Sequence, residues 1–178
     1  MSWKVDPAHT QVEFSARHMG IMTVKGRFQK FDATIDFDES DFTKSSVVAT
    51  VEAASVSTAD ERRDGHLKSA DFFEAEKHAN ITFKSTSIHK GEHERYRMTG
   101  DLTIRGVTKP VTLDVVYSGQ GKDPWGNMHA GFSAEGTINR KDWGLEWNRP
   151  LETGGFLVGD EIKVMLEVEA VQQAEAAA

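Results

Sequence analysis

The side chains whose types and spacing suggest chemistry lie in the segment RRDGHLKSADFF, residues 62–73. Arg63, Asp64 and His66 are close neighbours there, and two phenylalanines follow them. An imidazole near a carboxylate and a guanidinium can transfer protons near neutral pH or hold a polar group. The same letters also describe the polar face of a short helix, which the sequence predicts over residues 60–70. An active site and a structural helix are therefore both open at this point.

Two other histidine patterns are candidate metal or ligand sites. The spacing of His89 and His93 would place both rings on one face of a helix, but Gly91 between two strand patterns predicts a solvated hairpin turn. His18 shares the parity of the apolar residues in its strand, which leaves open a head-group anchor or a core histidine bonded to backbone. The sequence lacks the motifs typical of nucleophilic, phosphate-loop, zinc-protease and dinucleotide sites. We therefore predict no catalytic residue and no metal ligand.

Composition narrows the function classes further. The chain has 178 residues and no cysteine, which excludes disulfides, thiolate metal sites and thiol nucleophiles. Its net charge of -7 argues against a nucleic acid as the main partner. No apolar run approaches the ~20 residues of a membrane-spanning helix and the first residues lack a secretory leader, so we expect a cytoplasmic protein. Five cations would suit a pyrophosphate head group if several of them converged at one site, but their scattered positions favour ordinary surface charges. They are Lys25, Arg27, Arg105, Lys109 and Arg140.

The elements that must position these side chains are mostly strands. Val12, Phe14, Ala16 and His18 alternate with polar residues, and the apolar parity changes near residues 29–30, where we predict a bulge. Alternation continues over residues 31–37, 47–53, 81–88, 96–104, 111–117, 128–138 and 162–170. Short turns favour antiparallel pairing, so the pattern predicts an all-β barrel or a two-sheet sandwich of eight strands. We expect one domain over residues 1–171 and a flexible tail at 172–178.

Helical character is confined to two interior places, residues 60–70 and a short turn at 139–144. The apolar face of the strands also carries many small residues. These are Ala16, Gly26, Ala33, Ala49, Ala53, Gly100, Ala130, Ala134 and Gly136. An eight-stranded barrel is normally filled by bulky side chains, so small ones leave an apolar cavity or allow neighbouring elements to pack closely. The pattern alone favours neither the cavity nor the close packing.

Several segments together resemble the YceI-like polyisoprenoid-binding family, in the family's order and over nearly the whole chain. The matching segments are residues 3–28, 61–86, 100–113, 138–145 and 158–164. The resemblance implies a lipocalin-like antiparallel β-barrel with a short helix between its third and fourth strands. It also implies a long apolar ligand of the polyprenyl or isoprenoid quinone type, held by a carrier, store or sequestering protein without catalysis. The chain departs from the family at Ala79, where a proline is common, which changes only a turn.

Pattern and resemblance together predict the ligand site. The residues expected to contact the lipid are Phe14, Ala16, His18, Phe28, Leu67, Phe72, Phe83, Met98, Leu102, Phe132 and Ala134. Arg63, Asp64 and His66 are expected near the head group or in a helical lid that Leu67 and Phe72 close over the lumen. We expect no cofactor besides the bound lipid, no nucleic-acid partner, transient membrane contact and a homodimer. Two other functions stay open, an enzyme with His18 or His66 as acid or base, and a structural assembly module.

Overall fold

The structure, a computed structural model, describes residues 2–174, most of which form β-strands. The strands are β1 (Ser2–Val5), β2 (Gln11–His18), β3 (Met22–Phe28), β4 (Phe31–Asp36), β5 (Ser46–Glu52), β6 (Val56–Ser57), β7 (Asn80–Lys90), β8 (Arg95–Ile104), β9 (Val107–Lys122), β10 (Met128–Asn139) and β11 (Val158–Gln172). The helices of this described part are α1 (Glu61–Lys68) and the short 3-10 helices Pro7–His9, Phe42–Lys44, Ala53–Ser55 and Arg140–Trp143. Of the tail predicted at 172–178, residues 175–178 lie outside the described residues.

Three of the barrel strands are interrupted, so the eleven segments form eight strands. The segments β1 and β2 lie end to end along β11 and form one barrel strand. In the same manner, β3 and β4 together form the second barrel strand, and β5 and β6 together form the third. The hydrogen-bonded ring runs β1-β4-β5-β7-β8-β9-β10-β11 and returns to β1, with antiparallel pairing throughout. The predicted eight-stranded antiparallel barrel is confirmed, and the sandwich alternative is wrong.

The chain leaves the barrel ladder at Gln29 and Lys30, where the apolar parity changes. The Gln29 N–H donates to the Ser55 carbonyl oxygen at 3.2 Å, and the Lys30 N–H donates to Ser55 Oγ at 3.0 Å. The irregularity predicted here therefore consists of two residues that bond to a 3-10 helix, while the Lys30 carbonyl oxygen still accepts the Glu52 N–H of β5 at 2.9 Å. This break lets β3 pair with β2 and β6 while β4 pairs with β1 and β5.

Helix α1 connects the third and fourth barrel strands, as predicted. The Asp60 carboxylate caps its first turn by accepting the Arg63 N–H at 3.0 Å. Ser69 ends the helix by donating its N–H to the His66 carbonyl oxygen. Eight residues are too few for a stable isolated helix, and none of them is fully buried. The position of α1 therefore depends on its contacts with the end of the barrel.

Hydrophobic clusters occupy the two ends of the barrel. At one end, five aromatic rings pack with centroid distances of 4.4 to 6.0 Å, and we call this cluster the aromatic floor. Its members are Phe37, Phe42, Tyr96, Tyr117 and Phe132. At the other end, which we call the helix end, Phe72, Trp143 and Leu145 are buried beside α1. The space between the two clusters is the lumen.

Candidate functional site

A cavity of about 490 Å³ runs between the aromatic floor and the helix end. Its volume lies in the range of small-molecule sites, about 300–1,000 Å³. All eight barrel strands contribute apolar side chains to its wall, which reaches from Phe42 and Tyr96 at the floor to Leu67 and Trp147 at the helix end. The wall includes all the residues predicted to contact a ligand: Phe14, Ala16, His18, Phe28, Leu67, Phe72, Phe83, Met98, Leu102, Phe132 and Ala134.

The small inward residues divide between the two alternatives. The cavity wall includes the alanines Ala16, Ala33, Ala49 and Ala134. The glycines instead receive a neighbouring side chain: a Cβ at Gly26 would lie 2.3 Å from Phe14 Cζ, and one at Gly100 would lie 2.3 Å from Phe83 Cζ. Gly136 is covered in the same way by a leucine of β9. These four alanines therefore leave space in the lumen, whereas the three glycines allow close packing across strands, and Ala53 and Ala130 are buried outside the cavity wall.

Arg63 and Asp64 both bind Thr58, the residue after β6. The Arg63 Nε–H donates to Thr58 Oγ1 at 2.7 Å, and its Nη2 donates to the Thr58 carbonyl oxygen at 2.8 Å. Asp64 Oδ1 accepts the Thr58 N–H at 2.8 Å and the hydroxyl at 2.6 Å. Arg63 and Thr58 border the cavity, but Asp64 is not part of its wall. These bonds fasten the first turn of α1 to the barrel, so Asp64 has a structural role in this arrangement.

His66 lies at the helix end of the cavity among aromatic rings. Its Nε2 is 2.8 Å from Asp71 Oδ2, and its ring packs edge-on against Trp147 and Phe72 with centroid distances of 4.5 and 5.0 Å. His18, at the end of β2, lines the same end of the cavity. The two histidines predicted from sequence therefore meet the lumen at one end, opposite the aromatic floor.

Arg140 was predicted to be a surface charge, but the structure places it inside the site. Its side chain is only 4% exposed, and its Nη1 donates to the carbonyl oxygens of Leu145 and Trp147 at 2.6 and 3.0 Å. Burial lowers the pKa of this guanidinium from its usual value. Arg105, another of those cations, donates to the Phe72 carbonyl oxygen at 3.1 Å. Both arginines hold loops at the helix end, and the only local signal for Arg140 is its place in the predicted turn.

A network of histidines and carboxylates lies on the barrel exterior, near the aromatic floor. His129 binds Glu169 Oε1 through Nδ1 at 2.7 Å and Asp123 Oδ2 through Nε2 at 2.8 Å. These bonds raise the pKa of His129, and its bond to Asp123 holds the pKa of that carboxyl far below its usual range. Candidate ligand atoms of Asp6, His9 and Glu169 also lie within 4.8 Å of one another. The His9–Asp6 bond of 2.8 Å already satisfies part of this group without a metal.

The turn between β7 and β8 is the solvated hairpin predicted from Gly91. The Gly91 N–H donates to the Arg95 carbonyl oxygen at 2.9 Å, and His93 adopts a left-handed φ of 55°. His89 and His93 are both exposed. His89 therefore lies near the end of β7 and His93 in the turn, and their four-residue spacing does not place them on one face of a helix.

Known proteins with similar sequences match this chain over nearly its whole length. The profile of the YceI-like domain matches residues 3–170. A UPF0312 protein of Staphylococcus aureus is 38% identical over 165 residues, which cover 92% of this chain and 94% of that protein. Within the described residues, no helix is long and apolar enough to cross a bilayer.

Three solved structures share the fold. Burkholderia cenocepacia BcnA is 25% identical, with a TM-score of 0.82 over 93% of this chain and 98% of BcnA. A YceI protein of Campylobacter jejuni is 36% identical, with a TM-score of 0.74 over 89% and 90% of the two chains. A polyisoprenoid binding domain of Saccharophagus degradans, implicated in plant cell wall breakdown, has a TM-score of 0.69 over 96% of this chain and 98% of its own. At 12% identity, that last similarity concerns the fold alone.

Proposed function

Because the chain belongs to the YceI-like domain family, we propose that it binds a polyisoprenoid lipid in its lumen as a carrier, store or sequestering protein. The observation that carries this proposal is the apolar cavity of about 490 Å³ inside a closed barrel. Burial of an apolar tail there contributes ~25 cal/mol for each Å² removed from water, so the wall supplies affinity without directional contacts.

The shape of the cavity favours a long tail over a compact ligand. Its wall continues from the aromatic floor, at Phe42, to Trp147 at the helix end. Ala16, Ala49 and Ala134 line it from three different strands and leave room beside the tail. A methyl-branched chain therefore fits a wall on which bulky and small side chains alternate.

The direction of the ligand follows from the polar residues of the wall. Arg63, His66 and His18 lie at the helix end, whereas the floor is built from packed aromatic rings. A polar head group is least costly where it meets hydrogen-bonding side chains and water. The tail is therefore directed toward the floor and the head group toward α1.

We propose no reaction at this site. His66 is hydrogen bonded to Asp71 and enclosed by two aromatic rings, which supports a role in the wall and the helix end.

The homodimer and the cytoplasmic location stay predictions, which size-exclusion chromatography and cell fractionation address directly.

The test is to identify the lipid that copurifies with the protein. Native mass spectrometry and solvent extraction of gently purified protein are expected to yield an isoprenoid, and Ala134→Phe is expected to lose it because the new ring fills the lumen. Thr137→Phe is the matched control, because it adds the same ring to an exposed position of the same strand. Circular dichroism checks that both variants fold.

Binding of defined lipids then separates the head-group classes. A polyprenyl phosphate, an isoprenoid quinone and an unbranched fatty acid are compared as ligands of delipidated protein. Preference for either isoprenoid supports the proposal. An empty protein that also ignores all three lipids, or equal binding of the fatty acid, overturns it.

A further inference from the structure

A cluster of exposed apolar side chains lies beside the helix end. Six large apolar side chains are exposed in residues 2–174, and four of them lie on two turns or at the first strand residue after one of them. These four, which we call the apolar tips, are Met19 (44% exposed), Ile21 (72%), Met22 (62%) and Phe156 (61%). Exposed apolar residues scattered singly are normal, but a contiguous group marks an interaction surface.

The two turns form one surface because their backbones are bonded to each other. The Met19 N–H, in the turn between β2 and β3, donates to the Leu157 carbonyl oxygen at 2.8 Å. The second turn lies between Pro150 and Phe156, which form an antiparallel bridge. Met19 is therefore bonded to the chain neighbour of Phe156, although 137 positions separate Met19 from Phe156 in the chain.

The conformation of both turns is held by hydrogen bonds. Arg17 donates from Nη2 to the Gly20 carbonyl oxygen at 2.9 Å and from Nη1 to Thr23 Oγ1 at 3.1 Å. In the second turn, the Leu151 N–H donates to the Gly155 carbonyl oxygen at 2.9 Å. These bonds hold the backbone of both turns, while Ile21, Met22 and Phe156 expose most of their side chains to solvent.

The apolar tips continue the wall of the cavity onto the surface. Two residues of the cavity wall adjoin the apolar tips in the chain. His18 directly precedes Met19, and Leu157 directly follows Phe156. Arg63 of α1 borders the cavity at this same end and is itself exposed. An apolar ligand that leaves the lumen here therefore meets the apolar tips before it meets open water.

The charges of the two turns differ from those of the whole chain. Residues 17–22 and 149–157 carry Arg17 and Arg149 and one acid, Glu152, although the chain has a net charge of -7. Anionic lipid head groups attract such cations close to a membrane surface, over about one Debye length. Apolar side chains beside cations are the composition of segments that enter the interfacial region of a bilayer.

From this arrangement we propose that the apolar tips dock the barrel transiently on an anionic bilayer surface, with the helix end facing the lipid. The ligand then passes between bilayer and lumen without crossing water. A second copy of the chain is a poorer occupant, because a standard interface involves about 20–30 residues a side and these tips offer four exposed apolar side chains. A copy seated there would also cover the route into the lumen.

The inference rests on the proposed function for its purpose, but docking is measured without any lumen ligand. Delipidated protein is floated with vesicles of phosphatidylcholine and phosphatidylglycerol in equal parts. Wild-type protein is expected to float with them, less so with phosphatidylcholine alone or at high salt. Ile21→Ser with Phe156→Ser is expected to reduce binding about tenfold or more, since both side chains lose apolar burial in the bilayer.

Two controls keep the result specific. Trp125→Ser and Val48→Ser each remove an exposed apolar side chain outside the apolar tips, and both variants are expected to float like the wild type. No flotation of the wild type, equal flotation of the double variant, or a change only in its oligomeric state overturns the docking proposal. Ala134→Phe separates the two proposals, because it is expected to lose the lumen lipid and still float. If the wild type floats but neither copurifies with a lipid nor binds any of the three defined lipids, the docking proposal stands and the proposed function is contradicted.

Discussion

The ring of Phe14 on β2 lies over Gly26, its direct partner on β3, so closely that a Cβ at Gly26 would stand 2.3 Å from the ring. The ring thus occupies the space that a side chain would take and also lines the lumen. Its position depends on the absence of a side chain across the strand pair. The shape of the cavity at this point is therefore decided by a glycine that does not itself line it.

Replacement of Gly26 by alanine is expected to displace Phe14 and lower the free energy of unfolding by about 1–3 kcal/mol, the usual cost of overpacking. Urea unfolding measures this loss, and native mass spectrometry measures the reduced lipid retention. Gly121→Ala is the control, since a Cβ there meets nothing within 4 Å. Equal stability of the Gly26 and Gly121 variants would contradict the account.

Replacement of Arg140 by lysine keeps the charge but loses most of the hydrogen bonds to the loop carbonyls, because an ammonium has no planar fork. Buried acceptors are left without donors, and we expect the free energy of unfolding to fall by about 2–3 kcal/mol. Chemical denaturation is the measurement, with Arg27→Lys on the exposed side of β3 as the matched change. A loss no larger than that of the control would show that the arginine fork is dispensable.

Leu67 tests the lid more cleanly than Phe72. Phe72 is buried with Trp143 and Leu145. Its replacement by alanine is therefore expected to lower the free energy of unfolding by about 3–5 kcal/mol, in addition to any effect on closure of the lid. Leu67 is only partly buried, and Leu67→Ala is expected to speed ligand dissociation about tenfold or less, because it opens the helix end. Transfer of a bound fluorescent isoprenoid to acceptor vesicles gives the rate. The lid hypothesis fails if the rate equals that of Lys68→Ala.

The His129 network gives stability a definite pH dependence. Folding raises the pKa of His129 above its usual value of 6.5, chiefly through the bond to Asp123. The stabilisation is complete below pH 6.5 and is lost as pH rises through the higher pKa of the folded state. Thermal unfolding is therefore expected at lower temperature as pH rises from about 6 to about 9. His129→Gln should flatten this slope, while His89→Gln in the exposed hairpin should leave it unchanged.

The sequence by itself determined most of the strands and helix α1, because their signals are local, whereas β1 was not predicted. Alternation of apolar and polar residues places one face of each strand toward the interior whatever its neighbours are. The helical segment predicted over residues 60–70 contains α1, whose first turn Asp60 caps through a local hydrogen bond to the Arg63 N–H. Nine of the eleven predicted ligand contacts lie on strands and follow from the same alternation together with the family resemblance. Leu67 and Phe72 follow instead from the predicted helical segment, the phenylalanine pair after it and the resemblance.

Tertiary structure alone decided which small residues leave space and which cations are buried. Gly26 and Ala16 have the same inward parity, but the first is covered by a ring from the next strand while the second lines the cavity. Arg140 resembles a surface cation until the chain brings the carbonyl oxygens of residues 145–159 around it. The apolar tips become one surface only through the bond between Met19 and Leu157. In each case the deciding group comes from another part of the chain, which no local pattern of residues can specify.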